Sequence, residues 1–363
     1  MPLLLSEADV RSVLGMPDLF DAMQSVLAEF STGATQQPLR TVLQIGEAKS
    51  FFGVMPGYVP MLDAMGTKLV TVFESNPARG LPSHLATIVL LDPSTGALRA
   101  IVDGRYITEA RTGAVSAVAA RLLAREDAGV LALIGSGVQA RSHLQALAHV
   151  RPLREVRVWS PNAARRQSFI DAAEKAASGR VVAATSARDA VEGADLVALV
   201  SSAREPVVKA EWIRPGAHLC AVGACRPDQR EMDTALVRAA RVFVDSRTGA
   251  FAEAGDILIP IAEGAITRDH VAGELGEVAA GRVLGRSTPD EITIFKSLGM
   301  AVEDVAAAHL AFERAVERGI GTRISATSSC EYSKTSFNRK TARSSADNVS
   351  SRTRNAKVTD SWR

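Results

Sequence analysis

The feature that most constrains this chain is the segment at residues 130–150, VLALIGSGVQARSHLQALAHV. Five apolar residues lead into a Gly-Ser-Gly turn, and apolar residues then recur at helical spacing. The turn reads G-x-G-x-x-A: Gly135 permits the tight bend, Gly137 lets the backbone approach a pyrophosphate, and Ala140 allows close packing of helix on strand. A helix N-terminus also offers unpaired N–H groups to phosphates. The pattern therefore predicts a dinucleotide site.

The segments that follow alternate between strand and helix. Nearly continuous apolar runs, typical of strands buried on both faces, recur as VLALI, EVRVWS, RVVAA, DLVALV, AHLCAV and RVFVD, with a last one at 292–295. Helical patterns between them cover 138–149, 162–177 and 187–192. This alternation predicts an α/β unit with a parallel sheet and helices on both of its faces.

The first third of the chain has a different pattern. It begins with two helical patterns, one capped by Ser6 and one opening at Asp18. Residues 40–102 then hold short β-branched segments, and LLDPSTGALRAIV predicts a hairpin. Further helices are predicted at 106–123 and 301–318. We expect an α+β unit with an antiparallel sheet, onto which the last helix packs back.

Composition excludes several classes of protein. The chain has 363 residues, enough for two domains. Residues 322–363 carry nine Lys/Arg and three Asp/Glu, which leaves 33 basic and 37 acidic residues elsewhere. A mildly acidic body gives no footprint for nucleic acid, and no apolar run approaches the ~20 residues of a membrane helix. The Ser/Thr-rich segment from about residue 325 predicts a disordered tail.

The N-terminus and the cysteines favour a cytoplasmic protein. MPLLLSEADV lacks the basic start and long apolar stretch of a signal peptide. Cys220, Cys225 and Cys330 do not form a disulfide framework, and no metal-binding cluster accompanies them. We expect reduced thiols and no metal site.

The strand after the glycine turn bears on the choice of cofactor. NAD-binding forms place an acidic side chain about 20 residues on, where it accepts hydrogen bonds from the ribose. Here Ser160 occupies that place, and Arg165 and Arg166 follow. Serine and arginine suit a 2′-phosphate, which a carboxylate would repel. NADP(H) is therefore favoured and NAD(H) stays possible; the alternative is that both arginines are solvated on the helix surface.

Three cations in the N-terminal part are candidate substrate anchors: Arg40, Lys68 and Arg111. Lys68 lies in an apolar strand pattern, GTKLVTVF, and is either at a solvent-facing edge or inside a site. Arg111 opens an otherwise apolar helical segment, RTGAVSAVAA, where it would face a cleft or solvent. The pattern alone leaves both alternatives open.

Taken together, these blocks resemble the ornithine cyclodeaminase/mu-crystallin family. The resemblance runs from about residue 37 to 318 and includes QPLRTV, GVMPGY, TKLVTVF, LPSHLATIVLLDPSTGALRAIVDG, ITEARTGAVSA, LIGSGVQARSH, WIRPGAHLCAVGACRPDQREMD, GELGEV and ITIFKSLGMAVEDVAAA. It implies a substrate-binding and dimerisation domain (1–123 and 300–322), an inserted Rossmann domain (124–299), a tail at 323–363 and a homodimer.

The resemblance also implies roles for individual residues. Arg40 and Arg111 resemble residues that hold a substrate carboxylate, Lys68 resembles the active-site lysine, and Glu253 falls near the substrate in the mu-crystallin branch. Residues implied to contact the cofactor are Ser83, His84, Arg111, Thr112, Gly135, Ser136, Gly137, Val138, Gln139, Ser160, Asn162, Arg165, Ser201, Val222, Gly223 and Leu298.

One position separates the two branches of the family. Cyclodeaminases carry an acid/base aspartate where this chain has Cys225, and the mu-crystallin branch has a small serine there. A thiol, with an ordinary pKa of ~8.5, is a poor replacement for a carboxylate, although Asp228 lies three residues on.

The expected activity is therefore NAD(P)H-dependent reduction of cyclic imino acids such as Δ1-pyrroline-2-carboxylate or Δ1-piperideine-2-carboxylate. Hydride would pass to the imine carbon, and Lys68 would protonate or polarise the imine nitrogen. The alternatives are an ornithine cyclodeaminase, an amino-acid dehydrogenase or a non-catalytic binding protein of mu-crystallin type.

Overall fold

The strands divide into two sheets, seen in a computed structural model that describes residues 1–46, 50–174 and 179–325. In chain order the strands are β1 Leu3–Leu5, β2 Thr41–Gln44, β3 Ser50–Val59, β4 Ala64–Phe73, β5 His84–Leu91, β6 Leu98–Asp103, β7 Val130–Ile134, β8 Glu155–Trp159, β9 Arg180–Ala183, β10 Leu196–Leu199, β11 His218–Ala221, β12 Arg241–Val244, β13 Val271–Glu274, β14 Thr293–Lys296 and β15 Thr322–Arg323.

Helices cover the faces of both sheets. They are α1 Glu7–Val13, α2 Met16–Ser31, α3 Gly104–Leu123, α4 Val138–Val150, α5 Ala163–Ala173, α6 Ala187–Val191, α7 Thr234–Ala239, α8 Arg247–Glu253, α9 Gly255–Ala262, α10 Leu275–Ala279 and α11 Ala301–Arg318. None of the helices in the described part of the chain is long and apolar enough to span a bilayer.

The first sheet has the order β15-β1-β6-β5-β4-β3-β2. Strands β2 to β6 form an antiparallel meander, and the predicted hairpin is the β5–β6 connection, where Asp92 accepts hydrogen bonds from the N–H groups of Ser94 and Thr95. The sequence did not predict β1, which pairs parallel with β6. The predicted α+β unit with an antiparallel sheet is otherwise confirmed.

The second sheet has eight strands in the order β13-β12-β14-β11-β10-β7-β8-β9, and every pairing in it is parallel. The predicted Rossmann-type α/β unit is therefore confirmed, although β13 was not predicted. The strand order reverses beside β7, since β8 and β9 lie on one side of it and β10 and β11 on the other. Ligands bind at such reversals, beyond the carboxyl ends of the strands.

Helix α11 lies against the first sheet, as the sequence predicted. It packs on α2, α3, β3 and β4, and its buried residues, among them Val302 and Val305, join the core beneath the N-terminal layer. The packing places the first turn of α11, with Glu303 and Asp304, beside β4 and α3. Two acidic side chains thereby enter the interior of the protein.

Two helices begin at residues other than those predicted. Helix α2 begins at Met16, with Gly15 as its N-cap, and not at Asp18, because Pro17 suits the first turn of a helix. Helix α3 begins at Gly104, so Arg111 lies inside it and does not open it.

The predicted tail begins too early, because Arg323 belongs to β15, which pairs with β1 and lengthens the sheet. Two parts of the predictions lie outside the described residues: the tail from 326 onward, and residues 175–177 of the helix predicted at 162–177. Residues Met1–Ser325 form one compact unit, so the division at 123/124 and 299/300 stays a prediction.

Candidate active site

A cleft of about 550 Å³ lies between one face of the first sheet and the carboxyl ends of the strands of the second. One wall is built by alternate residues of β3, β4 and β5, because residues two apart on a strand point to the same side. The other wall follows the ends of β7, β10, β11 and β14. The cleft brings together these predicted residues: Arg40, Lys68, His84, Arg111, Thr112, Gln139, Ser201, Val222, Gly223, Cys225, Glu253 and Leu298.

Lys68 lies inside the site and not at a solvent-facing edge. Its side chain on β4 is 3% exposed, and Nζ lies 2.5 Å from Oδ2 of Asp304, whose side chain is fully buried. Burial lowers the pKa of Lys68 to about 8. The negative charge of Asp304 offsets part of this lowering, whereas the positive charges of Arg111 and Arg40 add to it. Lys68 is therefore a buried ammonium that can release its proton near neutral pH.

Arg111 is held by Asp304 and by the neighbouring Glu303. Its Nε donates to Asp304 at 2.9 Å and its Nη1 donates to Glu303 at 2.7 Å. Burial would raise the pKa of Asp304, but Arg111 and Lys68 outweigh burial and lower it. Asp304 is thus a carboxylate shared by two buried cations, and it fixes the guanidinium of Arg111 at the cleft.

Arg40 lies at the cleft beside the loop that follows β14. Its Nε pairs with Glu253 at 2.9 Å, and its Nη2 donates to the carbonyl oxygens of Leu298 and Gly299 at 3.0 and 3.2 Å. The side chain of Arg40 is 22% exposed, and these contacts orient its guanidinium before a ligand arrives. Glu253, the residue expected near the substrate, is therefore the carboxylate partner of Arg40 in this structure.

Cys225 lies at the cleft beyond the end of β11, with an exposed side chain whose Sγ lies 3.3 Å from the carbonyl oxygen of Val222. The protein that surrounds the thiol raises its pKa, so it stays protonated at neutral pH. Asp228 is exposed and is not among the residues that line the cleft. The structure therefore does not bring Asp228 to the position that Cys225 occupies.

Buried charged residues that the sequence patterns did not predict lie behind the cleft. Glu231 accepts hydrogen bonds from the N–H groups of Ser201 and Gly223, at the ends of β10 and β11. Lys296 pairs with Asp256 at 3.0 Å and donates to the carbonyl oxygen of Ala224. These contacts fix the backbone that carries Cys225. The one available signal was the isolated polar residue within apolar runs such as ITIFKS.

The glycine turn has the geometry that the motif predicts. Gly135 has φ +132°, and a Cβ there would lie 2.6 Å from the carbonyl oxygen of Val200. A Cβ on Gly137 would meet no protein atom within 4 Å, so packing does not require glycine at that position. Gly137 is also the N-cap of α4 and supplies no side-chain cap to the N–H groups of the first turn. The turn therefore leaves open space in front of free backbone donors.

Two polar atoms of the cleft have no hydrogen-bond partner among the described residues. They are Nε2 of His84 and Oε1 of Gln139, both shielded from water. Buried polar atoms are ordinarily paired, so such atoms indicate a ligand. Burial and the nearby charges of Lys68 and Arg111 lower the pKa of His84 to about 4, so it is a neutral imidazole. The cleft and the turn together fit a dinucleotide.

The adenosine end of the predicted site lies at the end of β8. The hydroxyls of Ser160 and Ser136 lie 2.9 Å apart. Asn162 caps α5, and its side chain accepts a hydrogen bond from the backbone N–H of Arg165. Nη1 of Arg166 donates to the carbonyl oxygen of Ser160. Of the two arginines, only Arg165 is fully exposed.

The remaining residues predicted to contact the cofactor do not line the cleft. Ser83, Gly135, Ser136, Gly137, Val138, Ser160, Asn162 and Arg165 lie outside its lining. Most of them belong to the turn and the β8 end described above, and Ser83 precedes His84 at the start of β5. In the described ranges there is no group of three or more potential metal ligands, so the structure offers no metal site there.

The fold and the site place the chain in the class of Rossmann-fold proteins with a glycine-rich dinucleotide turn and a cationic cleft. The chain belongs to the ornithine cyclodeaminase/mu-crystallin family, whose model matches residues 1–319.

Relatives with known names are similar over almost their whole length. The ketimine reductase mu-crystallin of Mus musculus is 41% identical over 316 residues, 86% of this chain and 97% of the relative. The Δ1-pyrroline-2-carboxylate reductase of Bacillus cereus is 34% identical, over 89% of this chain and 99% of the relative. A solved structure of the Thermococcus litoralis Δ1-pyrroline-2-carboxylate reductase with NADH and L-proline is 40% identical, with a TM-score of 0.87 and coverage of 89% of this chain and 100% of that one.

Proposed function

We propose that this protein reduces cyclic imino acids with a reduced nicotinamide dinucleotide. The observation that carries the proposal is the buried Lys68–Asp304 ion pair in a cleft that also holds two arginines and reaches Gln139 in the first turn of α4. A buried ammonium is a proton donor, and paired arginines suit a small carboxylate. The three relatives described above, all of them imine reductases by name, support the same reaction class.

Each cationic residue has a distinct part in this proposal. Arg40 and Arg111 bind the α-carboxylate and orient the ring, and Lys68 gives a proton to the imine nitrogen. The cofactor, when bound, supplies the hydride that adds to the imine carbon. The product is the cyclic amino acid, formed from the imine by one hydride and one proton. Orientation of this kind can lower a barrier by ~7–11 kcal/mol in well-ordered cases.

Cys225 favours reduction over ornithine cyclodeamination. The lyase reaction needs a base beside the substrate amine, but the pKa of the Cys225 thiol is raised above its ordinary value. Glu231, which lies behind the same loop, is committed to the backbone N–H groups of Ser201 and Gly223. With Asp228 exposed outside the cleft, no described carboxylate takes the base position beside Cys225.

A substrate panel with both cofactors tests the proposal. NADPH or NADH oxidation on addition of Δ1-pyrroline-2-carboxylate or Δ1-piperideine-2-carboxylate is the expected result. Proline and ammonia from ornithine, without net change in cofactor, would instead establish the lyase. Oxidative deamination of alanine would establish an amino-acid dehydrogenase, and dinucleotide binding without any turnover would establish a binding protein.

We further propose that NADP(H) is the preferred cofactor. The end of β8 presents Ser160 in place of an acid, and the exposed Arg165 follows it with no side-chain partner among the described residues. A 2′-phosphate can accept charge-assisted hydrogen bonds from both.

Arg165→Ala is therefore expected to weaken NADPH binding about tenfold, a loss typical of one charge-assisted hydrogen bond, and to change NADH binding little. Fluorescence titration of the two cofactors measures the two affinities. Arg166→Ala is the matched control, because Arg166 is occupied by the carbonyl oxygen of Ser160. Equal loss of both cofactors in Arg165→Ala would contradict the assignment.

A homodimer and a cytoplasmic location complete the proposal. Strand β2 is an edge strand exposed along its whole length, and apolar residues beside and within it are about half exposed: Leu39, Val42, Leu43 and Ile45. A flat apolar edge of this kind ordinarily needs cover, which a second copy of the chain supplies. Light scattering that returns the mass of one chain would refute the dimer. The free thiols of Cys220 and Cys225 suit a reducing compartment.

A further inference from the structure

The position of α11 gives the proposed proton donor a fixed counter-ion from the far end of the chain. Asp304, in the first turn of α11, contacts Nζ of Lys68 through Oδ2 and Nε of Arg111 through Oδ1. All three side chains are at least 96% buried. An ion pair sealed from solvent is far less screened than a surface pair, so its removal has a large effect on both partners.

We infer that Asp304 is a positioning residue for proton donation: it holds Lys68 in its ammonium form and aims Nζ at the imine nitrogen. This inference rests on the proposed imine reduction. Apart from Asp304, the charges that act on Lys68 are positive: they belong to Arg111 on α3 and to Arg40, which precedes β2. Without Asp304, both burial and these two arginines favour the neutral amine, which cannot donate the required proton.

The neighbouring acid, Glu303, has a different partner. Its Oε2 accepts from Nη1 of Arg111 at 2.7 Å and from the N–H of Met300, and it makes no ion pair with Lys68 in the described structure. Adjacent acids in one helical turn thus serve different cations. Because Glu303 and Asp304 are equally buried, they form a matched pair for mutation.

Other charged groups near Lys68 bear on its titration. The groups that face it or share its cleft are Arg40, His84, Arg111, Arg226, Asp245, Glu253, Glu303 and Asp304. His84 is neutral at working pH because its pKa is lowered to about 4, and Glu253 is paired with Arg40. Asp304 is therefore the nearest negative charge that acts on Lys68 directly.

The sign of the effect follows from these charges. Proton donation requires the ammonium form of Lys68, so kcat/KM for imine reduction should fall as pH rises through about 8. Asp304→Asn keeps the shape of the side chain and removes its charge, which lowers the pKa of Lys68. The falling limb should then move down by at least about one pH unit, so that kcat/KM at pH 8 drops about fivefold or more relative to wild type.

Two measurements on the full chain test the inference. The first is the pH profile of kcat/KM, which reports the free enzyme, for wild type, Asp304→Asn and Glu303→Gln. The second is NMR titration of protein labelled at lysine Cε, in which Lys68, one of eight lysines, is assigned by its absence from Lys68→Met. We expect the Lys68 midpoint to match the falling limb in wild type. Both should move down together in Asp304→Asn and stay within about 0.3 unit in Glu303→Gln.

The outcomes separate this inference from the proposed function. A wild-type midpoint that differs from the falling limb would overturn the inference without any change at Asp304, even if Asp304→Asn failed to fold. A lower kcat/KM in Asp304→Asn with an unmoved limb would give Asp304 a structural role only. Absence of turnover with every cyclic imino acid would instead refute the proposed function, while the NMR titration would still show whether Asp304 controls Lys68.

Discussion

Lys68→Met is expected to lower kcat for cyclic imine reduction by about 10²–10⁴-fold, the usual contribution of a positioned general acid. Methionine preserves most of the length of the buried side chain and removes only the charge and the proton. Asp304 keeps its contact with Arg111 in this variant, so no buried carboxylate is left alone. Steady-state kinetics below pH 8, where the wild-type lysine is protonated, measures the effect.

The control for Lys68→Met is cofactor binding. Lys68 is remote from the glycine turn in the chain and contacts Asp304, so the affinity for NADPH should change less than about twofold, as for a site without shared contacts. A variant with wild-type turnover would remove Lys68 from the mechanism. A variant that lost NADPH binding and turnover together would show that Lys68 acts on the cofactor and not as the proton donor.

Gly137→Val is expected to lower dinucleotide affinity by at least about 100-fold while the protein stays folded. Gly137 has φ −89° and ψ −163°, which valine adopts without strain, and a Cβ there would contact no protein atom within 4 Å. The added methyl groups would instead occupy the space in front of the first N–H groups of α4, where the pyrophosphate is proposed to bind. Fluorescence titration with NADPH measures the affinity.

Gly135→Ala provides the contrasting variant. At this glycine φ is +132°, and a Cβ would lie 2.6 Å from the carbonyl oxygen of Val200, so alanine must strain the turn itself. We expect thermal unfolding of Gly135→Ala to begin at lower temperature, whereas the Tm of Gly137→Val should stay within a few degrees of wild type. Unchanged NADPH affinity in folded Gly137→Val would place the dinucleotide elsewhere.

The Rossmann-type half was predicted well because each of its strands and its first helix has a recognisable pattern within a few neighbouring residues. Each buried parallel strand is a short apolar run, and the helix from Val138 begins immediately after the glycine motif. The meander of β2 to β6 was likewise visible in β-branched segments and turn residues. Strands β1 and β15 were not predicted, since three and two residues carry no periodicity and their pairing joins opposite ends of the described chain.

The charges of the site were harder to predict than its backbone. The strand pattern around Lys68 left its direction open, because only the packing of α11 decides that this face is buried. In the sequence, Glu303 and Asp304 are ordinary acidic residues in the first turn of a helix, where negative charge interacts favourably with the helix dipole. Their second role depends on contacts with Arg111, 192 and 193 residues away in the chain. Long-range contacts of this kind leave no local signal.

The most direct test of the central claim follows the hydride itself. Purified protein is incubated with Δ1-pyrroline-2-carboxylate and NADPH that carries deuterium at the transferred C4 position, and the proline formed is analysed by mass spectrometry. We predict one deuterium at Cα of proline for each NADPH oxidised, and at most about 1% as much deuterated proline from Lys68→Met over the same time. Proline without deuterium would contradict direct hydride reduction of the imine in this cleft. So would the absence of proline from Δ1-pyrroline-2-carboxylate when a parallel incubation converts ornithine to proline and ammonia.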